Sequence, residues 1–235
     1  MQRLDKILSD AGVASRKELR GLIRSGRVCA NGCAATRPEE KFDEMTVELT
    51  LDGAPVEKLH TVLLMLHKPA GYVTSTDDPG GPSVLELIPE RWRRFGVMPV
   101  GRLDKATEGL LLFTNDGVLA HRLISPRCGV WKRYYAEHEG TAAQADVCAF
   151  EAGMELTDGT RCLPARLTPL GAGRSMVEIR EGKYHQVRRM LAARGLPVQY
   201  LRREAEGTLT LDGLERGEVR ELPLDAVEEL LNGEK

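Results

Sequence analysis

The sequence has no apolar run close to the roughly 20 residues that a membrane-spanning helix requires. Its first residues, MQRLDK, are polar and lack the pattern of a secretory signal. Aromatic residues make up only 5% of the chain, and the net charge is only −2. We therefore expect a cytoplasmic protein with no membrane partner. Its 235 residues suffice for one large domain or for a small and a medium one.

Metal-binding and cofactor-binding patterns are also missing. The five cysteines are irregularly spaced, and Cys29 and Cys33 have no second Cys or His pair at zinc-finger spacing. The chain contains no Walker loop, no dinucleotide fingerprint and no internal repeat. We therefore expect reduced thiols, no metal site and no cofactor.

The small net charge hides a segregation of charge along the chain. Residues 1–37 contain eight Lys or Arg against three acidic residues, a balance of +5. Residues 204–235 contain ten acidic residues against three basic ones, a balance of −7. A basic N-terminal segment of this kind is compatible with a protein that presents one face to phosphate.

The basic segment has the pattern of two short helices followed by a hairpin. Leu4, Ile7 and Leu8 recur at helical spacing, and Ser15 with Glu18 fits a capping box that begins a second helix. Asn31-Gly32 then predicts a two-residue hairpin turn.

On the second helix, Arg16, Arg20 and Arg24 fall at i, i+4 and i+8 and form one row. In isolation such a row is usually a solvated face. The stretch SRKELRGLIRSGRVCANG, in this helix–helix–hairpin order, resembles the S4 RNA-binding domain. The resemblance implies phosphate contacts that supply affinity more than sequence specificity. The RNA-binding residues predicted in this segment are Arg3, Arg16, Lys17, Arg20, Arg24 and Arg27.

The stretch GRLDKATEGLLLFTNDG, residues 101–117, places Asp104 between two cations and just before an apolar strand. That spacing alone is most often a solvated surface cluster. However, GRLD followed by Thr107, Gly109 and the strand resembles the signature loop of the pseudouridine synthases. It is most similar to the branch that modifies ribosomal RNA and carries an N-terminal S4 domain.

Three further stretches resemble motifs of the same family. Lys68-Pro69 with Gly71 resembles the first motif, for which we predict a structural role. Lys132-Arg133-Tyr134 resembles the second, which makes Tyr134 the active-site aromatic residue. The stretch EGKYHQVRRM, residues 181–190, resembles the third, with Arg188 at the position of the cation near the catalytic aspartate.

The resemblance implies an α+β fold with two domains. Residues 1–58 would form a small S4 (α-L) RNA-binding domain, and residues 59–61 a linker. Residues 62–235 would form the catalytic domain, built on a mixed, mostly antiparallel sheet with flanking helices, the pseudouridine synthase fold.

Pseudouridine formation breaks the N1–C1′ bond of uridine, turns the uracil and rejoins it through C5. Because a carboxylate suffices for comparable glycosidic chemistry, neither a metal nor a cofactor is required. The resemblance assigns this role to Asp104, either as nucleophile at C1′ or as base at C2′. Tyr134 would stack on the extracted uracil, and Arg188 would keep Asp104 ionised. These three side chains are expected to meet in one cleft.

Additional RNA contacts are predicted for Arg102, Lys132 and His185. A catalytic role is not expected for His185, because the family implies no catalytic histidine. The stretch YHQV and the short loop that contains TDDP look more like the small-subunit branch. We therefore expect modification of 16S ribosomal RNA. We also expect the protein to be a monomer. The alternatives are a large-subunit synthase of the same architecture and a non-catalytic S4 protein of ribosome assembly.

Overall fold

A computed structural model of the chain describes residues 1–44, 46–56, 61–74, 80–125, 128–226 and 230. Residues 59 and 60 of the predicted linker and the TDDP loop lie outside the described residues. The chain folds into two compact units. The first comprises Met1–Thr61 and Arg94–Gly96, and the second comprises Val62–Arg93 and Val97–Lys235. In the described part of the chain, no helix is long and apolar enough to cross a membrane.

The first unit contains two helices and short antiparallel strands. The helices are α1 (Leu4–Asp10) and α2 (Arg16–Arg24). The strands are β1 (Gln2–Arg3), β2 (Val28–Ala30), β3 (Cys33–Ala34), β4 (Lys41–Phe42), β5 (Leu49–Leu51) and β6 (Ala54–Pro55). They form a sheet of order β3-β2-β5-β6 and a separate β1–β4 pair.

The predicted local signals of this unit are confirmed. The Ser15 hydroxyl accepts from the Glu18 amide and the Glu18 carboxylate accepts from the Ser15 amide, so that the capping box begins α2. Asn31 and Gly32 have φ angles of 51° and 79°, as the two-residue turn between β2 and β3 requires. Leu19 and Ile23 bury the apolar face of α2 in the core of the unit.

The second unit contains a larger sheet with helices around it. The helices are a 3₁₀ turn (Val84–Leu87), α3 (Glu90–Arg93), α4 (Gly117–Ile124), α5 (Gln144–Ala152) and α6 (Gln186–Ala193). The strands are β7 (Leu63–Lys68), β8 (Met98–Val100), β9 (Glu108–Thr114), β10 (Lys132–His138), β11 (Met154–Glu155), β12 (Arg161–Cys162), β13 (Arg166–Pro169), β14 (Arg174–Ile179), β15 (Val198–Glu206), β16 (Leu209–Thr210) and β17 (Val219–Leu222).

The main sheet has the order β13-β14-β10-β15-β9-β7-β17, with β8 paired to β9 and β16 paired to β15. Among the described strands of this sheet, β15 and β9 form a parallel pair and the other pairs are antiparallel. The central strands β7 and β9 are buried along their whole length. The predicted α+β fold, with a mixed and mostly antiparallel sheet, is therefore confirmed.

Gly109 permits the parallel pairing at the centre of this sheet. It lies opposite Arg203 and has a φ of +115°, a conformation that L side chains rarely adopt. A Cβ at this position would lie 2.2 Å from the carbonyl oxygen of Arg203. The close approach of β9 and β15 therefore requires glycine, and it occurs just after the loop that carries Asp104.

Candidate active site

The second unit contains a cavity of about 460 Å³ that is lined by residues from several distant segments. The loop before β9 contributes Asp104, β10 contributes Tyr134, and the segment before α6 contributes His185. Arg102, Lys105 and Lys183 add three cations to the lining. The cavity therefore brings a carboxylate and a phenol together in basic surroundings.

Lys68, whose side chain is fully buried, fixes the loop that carries Asp104. The Lys68 ammonium donates to the carbonyl oxygens of Thr107 at 2.8 Å, Asp104 at 3.2 Å and Lys105 at 3.3 Å. Burial lowers the pKa of Lys68 to about 8, although Asp104 and Glu108 oppose the shift. Lys68 therefore has the predicted structural role, because it binds the backbone carbonyls of this loop.

Two further contacts fix the same loop. The Thr74 hydroxyl donates to the Leu103 carbonyl at 2.7 Å and accepts from the Leu103 amide at 3.3 Å. The Gly71 amide donates to the Lys105 carbonyl at 2.8 Å. These bonds fix both flanks of Asp104 and leave its side chain to face the cavity, where it is 34% exposed. Its Oδ1 lies 3.4 Å from Nε2 of His185.

Tyr134 is buried in the cavity wall, and Arg203 lies beside it. The two residues are paired across β10 and β15, and the Arg203 guanidinium interacts with the Tyr134 hydroxyl. Arg203 is itself buried and its Nε donates to the Leu110 carbonyl at 2.7 Å. Burial raises the pKa of Tyr134, and the Arg203 cation only partly offsets this. Tyr134 is therefore a neutral phenol at neutral pH.

Comparison with known proteins identifies the two units. The model of the RNA pseudouridylate synthase family matches residues 62–193, and that of the S4 domain matches residues 2–47. The chain belongs to the RNA pseudouridylate synthase family. It is therefore an isomerase that acts on RNA.

Relatives of this synthase cover nearly its whole length. An uncharacterized RNA pseudouridine synthase of Bacillus subtilis, YtzG, is 40% identical over 225 residues, which are 94% of each chain. Ribosomal large subunit pseudouridine synthase B of Bacillus subtilis is 35% identical over 240 residues, covering 98% of this chain and 96% of the relative. A crystal structure described as a pseudouridylate synthase matches with a TM-score of 0.69 and 30% identity, covering 98% of this chain and 100% of the other.

The structure does not bring Arg188 into the cavity of this synthase, although Asp104 and Tyr134 both line it. Nη1 of Arg188 donates instead to the Val198 carbonyl at 3.3 Å. The cation that this segment contributes to the lining is Lys183. The expected cleft of three side chains thus contains two of them, and the geometry does not support an ion pair between Arg188 and Asp104.

Two of the three RNA contacts predicted in the catalytic unit line the cavity, namely Arg102 and His185. The third, Lys132, is paired with Glu206 across the sheet, with 3.7 Å between Nζ and Oε1, and its side chain is only 15% exposed. Burial lowers the pKa of Lys132, and Glu206 opposes the shift. Because the Lys132 ammonium pairs with Glu206 within the sheet, its position does not favour contact with RNA.

In the first unit, three predicted RNA-binding arginines surround the fully buried carboxylate of Asp5. Arg3 and Arg16 donate to it at 2.9 Å and 3.1 Å, and Arg20 lies 3.8 Å away. The bonds from Arg3, together with Arg16, hold the pKa of Asp5 below its usual value despite burial. The arginine side chains remain 41–55% exposed, so Asp5 orients them while leaving them accessible to phosphate.

The remaining basic residues predicted to bind RNA are exposed. Nε and Nη2 of Arg27 donate to the two carboxylate oxygens of Asp52, and the Arg27 side chain is half-exposed. Lys17 and Arg24 are exposed on α2. In the residues that the structure describes, no group of three or more His, Cys, Asp or Glu side chains forms a metal site.

Sequence reasoning missed Asp5 and Arg203. In the sequence, Asp5 is one polar residue of an amphipathic helix. Arg3 is two residues away, but Arg16 is eleven residues away on the next helix, so no local spacing indicates the cluster. Arg203 follows Arg202 in a strand of alternating exposure, and period-2 alternation does place the two side chains on opposite faces. The alternation could not show that the face of Arg203 is the buried one.

Proposed function

We propose that this synthase converts a uridine of ribosomal RNA to pseudouridine and that Asp104 is the essential catalytic residue. The observation that carries the proposal is the position of Asp104 in the cavity. Its loop is fixed through the backbone by Lys68 and Thr74, and its carboxylate faces the cavity, 3.4 Å from Nε2 of His185. Prepositioning of a reacting group in this way contributes strongly to catalysis.

The target uridine leaves its stack and enters the cavity, at a cost of a few kcal/mol. Asp104 then either attacks C1′ or removes the proton at C2′, and in both routes the N1–C1′ bond breaks. The uracil turns and a C5–C1′ bond forms. In the first route the Asp104–C1′ bond breaks at this step, and in the second route the proton returns to C2′. The proton on C5 is then removed and N1 ends protonated. Tyr134 borders the uracil as a neutral phenol, which suits stacking and short-range proton transfer.

Basic groups on both units supply the RNA affinity. Arg102 and Lys105 border the cavity and are exposed, so they are placed to hold the phosphates on either side of the flipped nucleotide. In the first unit, the arginines around Asp5 and the exposed Arg24 supply contacts to the backbone of the RNA. Such contacts position RNA without reading its sequence.

The decisive variant is Asp104→Asn, which keeps the size of the side chain and removes its charge and its nucleophilicity. We expect isomerisation of ribosomal RNA to be abolished while RNA affinity stays within about twofold, because phosphate contacts dominate binding. Asp212→Asn, which changes an exposed carboxylate outside the cavity lining, is the matched control and should retain full activity. Turnover by Asp104→Asn comparable to wild type would refute the assignment.

Two ribosomal RNAs are candidates for the target. The YHQV stretch favours the small subunit, as the sequence predicted. The 35% identity to ribosomal large subunit pseudouridine synthase B favours the large subunit as a second candidate. Mapping pseudouridine in both RNAs from cells with and without this protein decides between them, because only the true target loses a modified position.

We further propose that the protein acts in the cytoplasm and that it acts as a monomer. The carboxylate, the phenol and the cations of the cavity all belong to one chain, so the proposed site is complete without a second copy. Light scattering of the purified protein at the concentration of the activity assay would show a monomer mass near 25.9 kDa.

A further inference from the structure

Tyr184 exposes an aromatic ring at the edge of the cavity. Its side chain is 75% exposed, and the ring stacks on that of His185, with 3.9 Å between centroids and 16° between planes. Nε2 of His185 lies 3.4 Å from Oδ1 of Asp104. The two rings thus extend from the aspartate outward to solvent.

The backbone that carries the two rings is held in a rare conformation. His185 has a φ of 49°, in the left-handed region that non-glycine residues seldom adopt and that is often found at functional sites. The buried side chain of Gln186 accepts from the Lys183 amide at 3.0 Å and donates to Glu181 at 2.8 Å. Arg189 donates to the Tyr184 carbonyl at 3.3 Å. These bonds hold the backbone that carries the ring pair.

We propose that Tyr184 and His185 form a stacking platform for the nucleobase next to the target uridine; this inference rests on the proposed function. When the uridine leaves its stack, its neighbour loses a stacking partner. The exposed face of Tyr184 replaces that partner. Stacked bases are about 3.4 Å apart, close to the 3.9 Å between the two ring centroids, so a base on Tyr184 would extend a stack that already has the spacing of nucleic acid.

The surroundings of the platform favour a nucleotide as its occupant. Arg102, Lys105 and Lys183 line the same cavity, and their charge suits the phosphates that accompany a base. Every base has an aromatic face, so the platform holds a neighbouring nucleotide without reading its identity. Because the backbone of the platform is held by these hydrogen bonds, binding does not include the entropy cost of fixing that segment.

The test uses ribosomal RNA from cells that lack this protein. It measures the affinity of the full-length protein for that RNA and the isomerisation of the same RNA. Tyr184→Ala should weaken binding about 5- to 100-fold, as expected for loss of one base–aromatic stack. Tyr184→Phe keeps the ring and should stay within about twofold. The salt dependence should be the same in both, because no charge is removed. Val118→Ala, which trims an exposed apolar residue outside the cavity lining, is the matched control.

A second measurement addresses the RNA side of the contact. In an RNA fragment around the mapped uridine, an abasic neighbour should weaken wild-type binding and have little further effect on Tyr184→Ala. Unchanged affinity of Tyr184→Ala, or an equal loss in Tyr184→Phe, would overturn the platform while leaving the proposed function intact. Absence of isomerisation by the wild-type protein would instead contradict the proposed function, and the affinity comparison would still decide the platform.

Discussion

The buried ammonium of Lys68 lies 3.2 Å from the carbonyl oxygen of Asp104, so one cation at the end of β7 fixes the backbone of the proposed catalytic residue. The same nitrogen also lies within hydrogen-bond distance of the Pro69 carbonyl, at 3.1 Å, and of two further carbonyls of the loop. A cation shared among backbone acceptors sets the shape of a loop without occupying the space beside the Asp104 carboxylate.

Lys68→Met should therefore impair catalysis without removing any group that faces the cavity. Methionine fills a similar volume but cannot donate, so buried carbonyls around it lose their partner, at a cost of about 1–3 kcal/mol. We expect kcat to fall at least tenfold with a smaller change in KM, measured by isomerisation of ribosomal RNA. Lys41→Met, at an exposed lysine of β4, is the control for loss of a positive charge. An unchanged kcat in Lys68→Met would contradict this role.

The lowered pKa of Lys68 also predicts how stability depends on pH. The group has a pKa of about 8 in the folded protein against 10.5 for the ordinary group. Between these two values the unfolded chain binds more protons than the native protein, so the contribution of Lys68 to the unfolding free energy rises with pH. The rise is on the order of 3 kcal/mol over this interval. Urea unfolding of wild type and Lys68→Met at pH 8 and pH 10.5 should show the difference, and parallel pH curves would contradict it.

Gly109→Ala should be strongly destabilising. The new Cβ would lie 2.2 Å from the Arg203 carbonyl oxygen and would also require an unfavourable backbone φ. We expect a loss of at least about 3 kcal/mol in the free energy of unfolding, from overpacking together with backbone strain. Gly117→Ala is the matched control, because nothing lies within 4 Å of its Cβ position and it begins α4. Thermal unfolding should separate the two variants, and equal melting temperatures would disprove the steric argument.

The parts of the fold that depend on neighbouring residues could be predicted from the sequence. The capping box of Ser15 and Glu18, the Asn31-Gly32 turn and the buried strand after Asp104 each have a local pattern. The resemblance to a known family then supplied the mixed, mostly antiparallel character of the sheet, which no local pattern contains.

The parts that depend on contacts between distant segments could not be predicted in the same way. Helical residues are rotated by about 100° from one to the next. The motif around α6 therefore predicts a helix, but not which of its faces meets the cavity. Gln186 and Val187 line the cavity, whereas Arg188 is turned toward Val198 at the start of β15. The burial of Arg203 likewise follows from the pairing of β15 with both β10 and β9.

Arg203 and Tyr134 should behave as a coupled pair. Arg203→Met would remove a buried cation that lies 3.4 Å from Oε2 of Glu206. The buried Glu206 carboxylate would then keep only its longer contact of 3.7 Å with Lys132 among the ion pairs of the described residues. A loss of about 3–5 kcal/mol in unfolding free energy is expected. Tyr134→Phe removes only the hydroxyl that interacts with Arg203. In urea unfolding, the double variant should lose less than the sum of the single losses, and strict additivity would show that the two groups do not interact.

Asp5 should be required for the stability of the first unit, because three arginines share its buried carboxylate. Asp5→Asn weakens the hydrogen bonds from Arg3 and Arg16, each charge-assisted in the wild type, and a loss of about 1–3 kcal/mol is expected at neutral pH. Its pKa is lowered in the folded state, so this stabilisation is present above the ordinary value of 3.8 and is lost as pH falls through the lower folded value.

The matched control for Asp5→Asn is Asp10→Asn, which changes an exposed carboxylate of the same helix that pairs with Lys6 at the surface. Such a surface pair contributes less than about 1 kcal/mol. Urea unfolding followed at neutral pH, and again below pH 3.8, should show a large difference between the two variants that shrinks in acid. A difference that persists unchanged in acid would mean that the packing of the Asp5 side chain, rather than its charge, stabilises the unit.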